Sequence, residues 1–429
     1  IWKIEDLRNR ILTTLLLVAI YRFGTYVVLP GIDPKALTAL QEQTRGGLLA
    51  LLDMFSGGAF SNASIFALGI MPYISASIVM QLMAIAVPSF QKLQREGESG
   101  RRKINQWTRY LTVAILLFQG PTYLVNLSVQ LKAAGAALPA GIWFTISSTV
   151  ILAAGSMFIL WLGERITDKG VGNGISIVLL INIISGMPSD FATLYSTFVA
   201  PKTPAKGVLA AVIILAILIV MVVLVCFLQD GERRIPVQYS QKVSGRRTVG
   251  GQSTNIPLKV NTAGVMPIIF ASSLMQFPVI IAQLFGKSYE WTRYLSSSYW
   301  CRVEAPKYSI GLLVYIVLLI IFAYFYTSIT FNPIEVADNL KKAGGVIPGI
   351  TPGKSTSEYL NKILNYIVFI GAVGLLIIAL IPIMCTGFFN ASVSFGGTSI
   401  IIIVGVVLET LKQIESQMCN RYYKGFLSE

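Results

Sequence analysis

Histidine is absent from this chain, and its absence removes histidine-based catalytic triads, histidine-ligated metals and haem together. Only four cysteines occur, Cys226, Cys301, Cys385 and Cys419. They show no paired spacing, and Cys226 lies inside an apolar run, which argues against a disulfide framework or a zinc site. Charge is also scarce: 13% of the 429 residues are charged and 54% are hydrophobic, where a soluble domain usually carries about 25% charged residues. The charges present are bunched between long apolar runs, the pattern of several membrane spans. The chain begins at Ile1 rather than Met, so residues ahead of it are expected, and no cleavable signal pattern is visible.

A helix needs about 20 apolar residues to cross roughly 30 Å of hydrocarbon. Uncharged runs of that size occupy 110–131, 141–162, 207–228, 260–286 and 308–334, and 171–189 is a shorter one. The run 11–29 qualifies if Arg22 is satisfied or reaches the headgroups. From 363 to 408 there are 46 residues without a charge, which predicts two helices joined by a turn around Asn390 to Gly397.

The uncharged segment 54–91 does not fit one span or two. Its 38 residues are interrupted by Ser56-Gly57-Gly58, Gly69 and Pro72, and Gly and Pro break helices. The pattern predicts a half-helix near 62–70 and a full span near 72–90. Irregular backbone at membrane depth is tolerated only inside protein or beside a water-filled cavity, so the segment implies a cavity; a kinked span with a surface loop is the plainer alternative.

Ten spans put both termini on one side. With that side cytoplasmic, 24 of the 34 Lys and Arg residues fall on inner segments, 9 on outer loops, and Arg22 lies in a span. The net charge of +14 is then mainly a topology signal rather than a nucleic-acid patch. Five spans per half, an odd number, force the second half to enter from the opposite face. Inverted halves commonly build a path along their interface. The halves are expected at 1–200 and 201–429.

Two motifs fail as nucleotide sites. Gly353-Lys354-Ser355 ends like a phosphate-binding loop, but Pro348 stands where its first Gly belongs and no strand is expected before it. Gly170-Val171-Gly172-Asn173-Gly174 departs from the dinucleotide pattern and opens a span. Asp53, Glu164 and Glu409 lie near span ends, where an ion-coupled carrier would keep carboxylates within its spans. Two long inner loops, 230–256 and 335–362, are basic. Positive-inside bias and attraction to anionic lipid account for part of that; their length and the adjacent Arg246 and Arg247 also suit docking of a cytosolic partner.

Several words in the chain match one family. Asn62-Ala63-Ser64-Ile65-Phe66-Ala67-Leu68-Gly69-Ile70-Met71-Pro72-Tyr73-Ile74-Ser75 resembles the plug and second helix of the SecY/Sec61-alpha family. Gly97-Glu98-Ser99-Gly100-Arg101-Arg102-Lys103, Gly172-Asn173-Gly174-Ile175-Ser176, Pro257-Leu258-Lys259-Val260-Asn261 and Ala337-Asp338-Asn339-Leu340-Lys341-Lys342 resemble the same family, as do Phe331-Asn332-Pro333 and Phe395-Gly396-Gly397-Thr398-Ser399. They stand in family order along essentially the whole chain.

The resemblance implies an all-α membrane protein, ten transmembrane helices in two inverted five-helix halves around an hourglass pore. It implies a passive protein-conducting channel with no cofactor and no catalytic residue. Its pore ring would be Ile70, Ile74, Ile175, Leu179, Ile269 and Ile402, and its plug Phe60, Ser61, Asn62, Ala63, Ser64, Ile65 and Phe66. Its lateral gate, between the spans 72–90 and 260–286, would carry Ser75, Ile78, Asn261, Ser273 and Phe277. Docking of the ribosome or the SecA motor would fall to Arg246, Arg247, Lys341, Lys342 and Lys354; many relatives have Arg where this chain has Thr351. Further implied partners are SecE and SecG-type small membrane subunits, signal peptides and unfolded polypeptides. The other function class left open is a secondary transporter for a small solute, which would share inverted halves and a broken helix.

Overall fold

The computed structural model describes residues 4–33, 50–95, 98–133, 138–139, 141–200, 204–239, 242–244, 247–249, 253–262, 264–284, 290–295, 300–301, 306–389 and 397–424. Ten helices among these residues correspond to the expected spans. Helix α1 is Glu5–Gly24; a short helix α2, Ala50–Ser56, precedes the second span, α3 (Met71–Ala86). Helix α4 (Pro88–Arg95) leads to α5 (Glu98–Ala133), followed by α6 (Ile142–Lys169), α7 (Gly174–Leu194) and α8 (Pro204–Asp230). In the second half come α9 (Met266–Leu284), the single turn α10 (Thr292–Leu295), α11 (Ile310–Thr330), α12 (Pro333–Lys342), α13 (Lys354–Phe389) and α14 (Gly397–Lys424). Six of these regions are long and apolar enough to cross a membrane on length and composition alone. Shorter apolar stretches lie in α3 and α9, and α1 and α14 complete the ten.

The boundaries follow local chemistry. The expected span 72–90 is broken at Val87, whose extended backbone (φ −108°, ψ 118°) ends α3, because Pro88 disfavours helical geometry at the residue before it. The break after α11 is made by Asn332-Pro333: the Asn332 side chain accepts the Ile334 N–H at 3.2 Å and Pro333 takes the first turn of α12. Gly170–Gly174, which failed as a dinucleotide motif, ends in a helix cap. Asn173 Oδ1 accepts from the backbone N–H groups of Ile175 and Ser176. The turn expected at 390–397 lies almost wholly outside the described residues.

The half-helix expected near 62–70 is not there. The helix falls earlier, at α2, and residues 57–70 form consecutive turns with a single bridge between Val28 and Ser64. Positive φ angles at Gly57 (66°), Gly58 (85°), Ala63 (46°) and Gly69 (58°) carry those turns. A helix cannot run through them.

Packing within each half follows the same rule. In the first half the first span (α1) packs on the fourth (α6), the second (α3) on the third (α5), the third on the fourth, and the fourth on the fifth (α7). In the second half α8 packs on α13, α9 on α11, α11 on α13, and α13 on α14, the same pairing in the same order. Four pairings thus correspond between the halves, while α8 also packs closely on α14 with no equally close counterpart among the described residues of the first half. The halves meet where α14 lies against α7. Outward faces are apolar, as lipid contact requires: Val208, Leu209, Val212 and Phe227 of α8 are all well exposed.

The described parts of the two basic loops contain strands that an all-α reading does not expect. Residues 230–259 fold as β1 (Glu232–Tyr239), β2 (Lys242–Ser244), β3 (Arg247–Val249) and β4 (Ser253–Lys259). Strand β1 pairs antiparallel with β4 from Glu232↔Lys259 to Gln238↔Ser253. On its other edge it pairs with β5 (Gly345–Val346) of the second loop. The two basic loops therefore share one three-stranded sheet of order β4-β1-β5. Ile235, Val237 and Leu258 bury its inner face against Leu340, Leu360 and Ile363.

Candidate functional site: an apolar neck and the segment behind it

The site lies between the halves. A cavity of about 660 Å³ is lined by α3, α7, α9, α11 and α14. Towards one end it is polar, with Gln229, Lys259, Glu409, Lys412 and Gln413 on its wall. Lys412 donates to Asp230 Oδ1 at 2.7 Å, tying α14 to the end of α8; both groups are about half exposed, so the pair contributes about 0–1 kcal/mol.

Towards the other end the wall is aliphatic. Ile74, Ile175, Leu179, Ile269 and Ile402 line the cavity. Ile70 joins Ile74, Leu179, Ile269 and Ile402 in one buried cluster, and the half-buried Ile175 packs against it. These six residues come from both halves: the α3 region, α7, α9 and α14. Spacing puts them there: Ile70 and Ile74 are four apart and Ile175 and Leu179 are four apart, so each pair stacks on one face.

Beyond the neck the same cluster continues into Phe55, Ala59 and Phe66. Within 60–66, Phe66 and Ile65 pack in or against this cluster, whereas Phe60 and Ala63 belong to a neighbouring one with Leu29, Tyr123 and Leu152. Phe66 is stacked between Tyr21 of α1 and Phe158 of α6, with ring centroids 5.8 and 6.0 Å away. A Cβ on Gly24 would stand 2.1 Å from the Phe66 ring, so only glycine at this point of α1 admits the ring. Every backbone N–H from Phe60 to Phe66 is hydrogen-bonded, mostly within 53–66 and at a few points to other elements. Leu29 N–H donates to Ala63 O at 2.9 Å and Ile65 N–H to Val27 O at 3.0 Å. Asp53 Oδ1 accepts from Ser61 N–H at 2.9 Å, the Tyr123 hydroxyl donates to Phe60 O at 2.7 Å, and Ser64 Oγ accepts from Phe66 N–H at 3.0 Å. Ser61 is buried and Asn62 half-buried.

Arg22, the one basic residue inside an expected span, is satisfied within the protein. Its Nη1 donates to Gly57 O at 3.1 Å, and its guanidinium lies 5.7 Å from the centre of the Tyr26 ring. Sequence reasoning missed Asn182 and Tyr123, whose polar groups also reach 55–60. The available signal was an Asn inside the apolar run of α7, where a buried amide needs a partner.

The expected gate residues belong to α3, to α9 and to the turn before α9. Ser75 and Ile78 are half-buried on α3, Asn261 is buried before α9, and Ser273 is half-buried on α9. Ile78 packs against the neck cluster and against the second-half cluster containing Met275. Asn261 Nδ2 and Ser273 Oγ are buried with no hydrogen-bond partner among the described residues. Phe277 is part of α9, but its side chain lies outside the described residues. Arg109 of α5 pairs with Glu164 of α6 at 2.5 Å.

Of the expected docking residues, Lys341 and Lys342 are exposed in the last turn of α12, where cations are favoured by the helix dipole. Lys354 is exposed at the start of α13. Arg247 opens β3, with its side chain outside the described residues, and Arg246 lies outside them altogether. Thr351 is exposed, and its carbonyl accepts from the Thr356 hydroxyl at 2.9 Å.

Comparison with known proteins agrees with this layout. The family model described as SecY matches residues 64–411. The protein translocase subunit SecY of Streptomyces scabiei is 45% identical over 436 residues, covering 99% of this chain and 98% of that protein. Among solved structures, one described as showing that the plug domain of SecY stabilises the closed state of the translocation channel and maintains a membrane seal aligns with TM-score 0.62 at 16% identity. It covers 96% of this chain and 93% of that one. Sec61 in the canine ribosome-channel complex from the endoplasmic reticulum aligns with TM-score 0.55 at 15% identity over the same shares. The structural likenesses establish the fold; the family match and the full-length identity establish membership, and the chain belongs to the SecY family.

Proposed function

We propose that the chain is the central subunit of a passive protein-conducting channel in the bacterial cytoplasmic membrane, with both termini on the cytoplasmic side. Unfolded secretory chains would pass through the neck, and apolar segments would leave sideways between α3 and α9. The observation that supports this reading is the aliphatic cluster between the two halves, with Ile65 and Phe66 of the segment 60–66 packed against it. A ring of Ile70, Ile74, Ile175, Leu179, Ile269 and Ile402 blocks ions by dewetting, and it yields to a passing chain without offering polar groups to hold it. Residues 60–66 serve as the plug.

Transport is driven by a partner, the ribosome or a SecA-type motor. The shared sheet supports this: it fixes both basic loops to each other, and exposed Lys341, Lys342 and Lys354 flank it. Arg246 and Arg247 would complete the docking set. SecE and SecG-type subunits would cover part of the apolar outer face, and anionic lipids would meet the basic inner segments. A solute carrier fits less well, because Ile74, Ile175, Leu179, Ile269 and Ile402 give the cavity an aliphatic wall where a solute site would want convergent polar groups.

Proteoliposomes containing the chain with its small partner subunits test the function. With motor and ATP, a secretory precursor should become protected from added protease, and a signal-less precursor should not. No protection, from vesicles shown to contain folded protein, would contradict the channel reading.

A further inference from the structure

Helix α2 has only 7 residues, and the carbonyls at its end lack helical partners. Turn bonds satisfy some: Met54 O accepts Gly57 N–H, Asp53 O accepts Gly58 N–H, and Ser56 O accepts Ala59 N–H. The carbonyls of Phe55 and Gly57 are taken by distant side chains. Asn182 Nδ2 of α7 donates to Phe55 O at 2.6 Å, and Arg22 Nη1 of α1 donates to Gly57 O at 3.1 Å. A Cβ on Gly57 would lie 2.6 Å from Asn182 Oδ1 and 2.8 Å from Arg22 Nη1, so the two side chains close on the same residue.

Asn182 also stands three residues beyond Leu179, on the same face of α7, and both are buried. An outward shift of α7 that widens the neck at Leu179 therefore draws Asn182 away from Phe55. The Asn182 side chain also faces the Tyr21 hydroxyl of α1, which is buried beside it. The latched arrangement thus gains a neutral amide–carbonyl bond here, whose modest net worth keeps the cost of opening low.

We propose that Arg22 and Asn182 are positioning residues for the plug: they latch the end of α2, hold residues 60–66 behind the neck, and release them when α7 moves. This rests on the plug reading of residues 60–66. The latch couples neck dilation to plug release without any contact between Asn182 and the passing chain.

The test is idle conductance of the reconstituted complex in planar bilayers, in a background with the four cysteines replaced. Four chains are compared with the parent: Asn182→Leu, Arg22→Met, Arg22→Lys and a deletion of residues 60–66. Asn182→Leu and Arg22→Met should raise the frequency of openings about tenfold, equivalent to about 1.4 kcal/mol, whereas Arg22→Lys should stay near the parent. Adding Val28→Cys with Ser64→Cys to Asn182→Leu separates release from misfolding. These bridge partners sit at a spacing suited to a disulfide. Oxidation should silence the extra openings and reduction should restore them. Parent-like silence of Asn182→Leu and Arg22→Met beside a leaking deletion overturns the latch and leaves the plug standing. Openings that persist through oxidation overturn it as well. A silent deletion removes the plug reading and the latch together.

Discussion

The carbonyl oxygen of Ile65 occupies the place a side chain would take at Gly155: a Cβ there would lie 2.2 Å from it. Glycine within a helix costs about 0.5–1 kcal/mol relative to alanine, so α6 gives up stability for this approach. The gain is that the segment behind the neck can lie against α6 with Phe66 reaching between α1 and α6. Replacing Gly155 with Val should strengthen α6 as an isolated helix yet push residues 60–66 off their seat. Expected are a rise in idle ion leak and faster proteolysis within 60–66, at near-parent thermal stability. Unchanged leak would show that the backbone shifts freely and that the close approach is incidental.

Ile402 is 1% exposed and packs in the neck cluster. Replacing it with Asn buries an amide with no arranged partner, at a cost of about 1–3 kcal/mol, and, on the proposed pore-ring reading, favours water in a seal that works by dewetting. The variant should leak and should accept precursors with weakened signal peptides. The same substitution at Ile401, which packs in the second-half cluster instead, should destabilise without that loss of selectivity. Equal selectivity in both would remove Ile402 from the ring.

Val237 is fully buried under the sheet formed by the two inner loops. Val237→Asp places a charge there without a partner and should disorder the sheet by several kcal/mol, while the neck is untouched. Loss of ribosome and motor binding with an unchanged idle seal is the expected result. Leak in this variant would mean that the sheet also supports the pore.

Lys341 and Lys342 are solvent-exposed, so reversing both to Glu alters the surface at a cost of about 1 kcal/mol from the helix end. Binding of the ribosome or motor should weaken and become less sensitive to salt. Intact binding at physiological salt would shift the docking role to Arg246, Arg247 and Lys354.

Much of this layout was legible in the sequence, because membrane spans announce themselves by length and charge. All ten expected spans contain a helix, and the neck residues could be placed by family motif. What escaped was set by contacts across the chain. Arg234-Ile235-Pro236-Val237-Gln238 alternates with period two, a strand signal, but Lys and Arg around it read equally well as a topology loop. Its partner Ser253–Lys259 and the short β5 add pairing that local sequence does not encode. The helical end of 54–91 was misplaced because Gly57, Gly58 and Gly69 permit several turn geometries. The bridge of Val28 to Ser64 and the bonds from Arg22, Asn182 and Tyr123 select one of them. Asn182, isolated in an apolar run, acquires its role only when α7 lies beside α2.

The central claim is a pore closed from behind by a removable segment. Single-channel conductance of the reconstituted complex, comparing the intact chain with one lacking residues 60–66, tests it most directly. A silent intact channel and an opening, leaking deletion are predicted. Equal silence from both, with the deleted chain shown to be folded and assembled, would contradict the account.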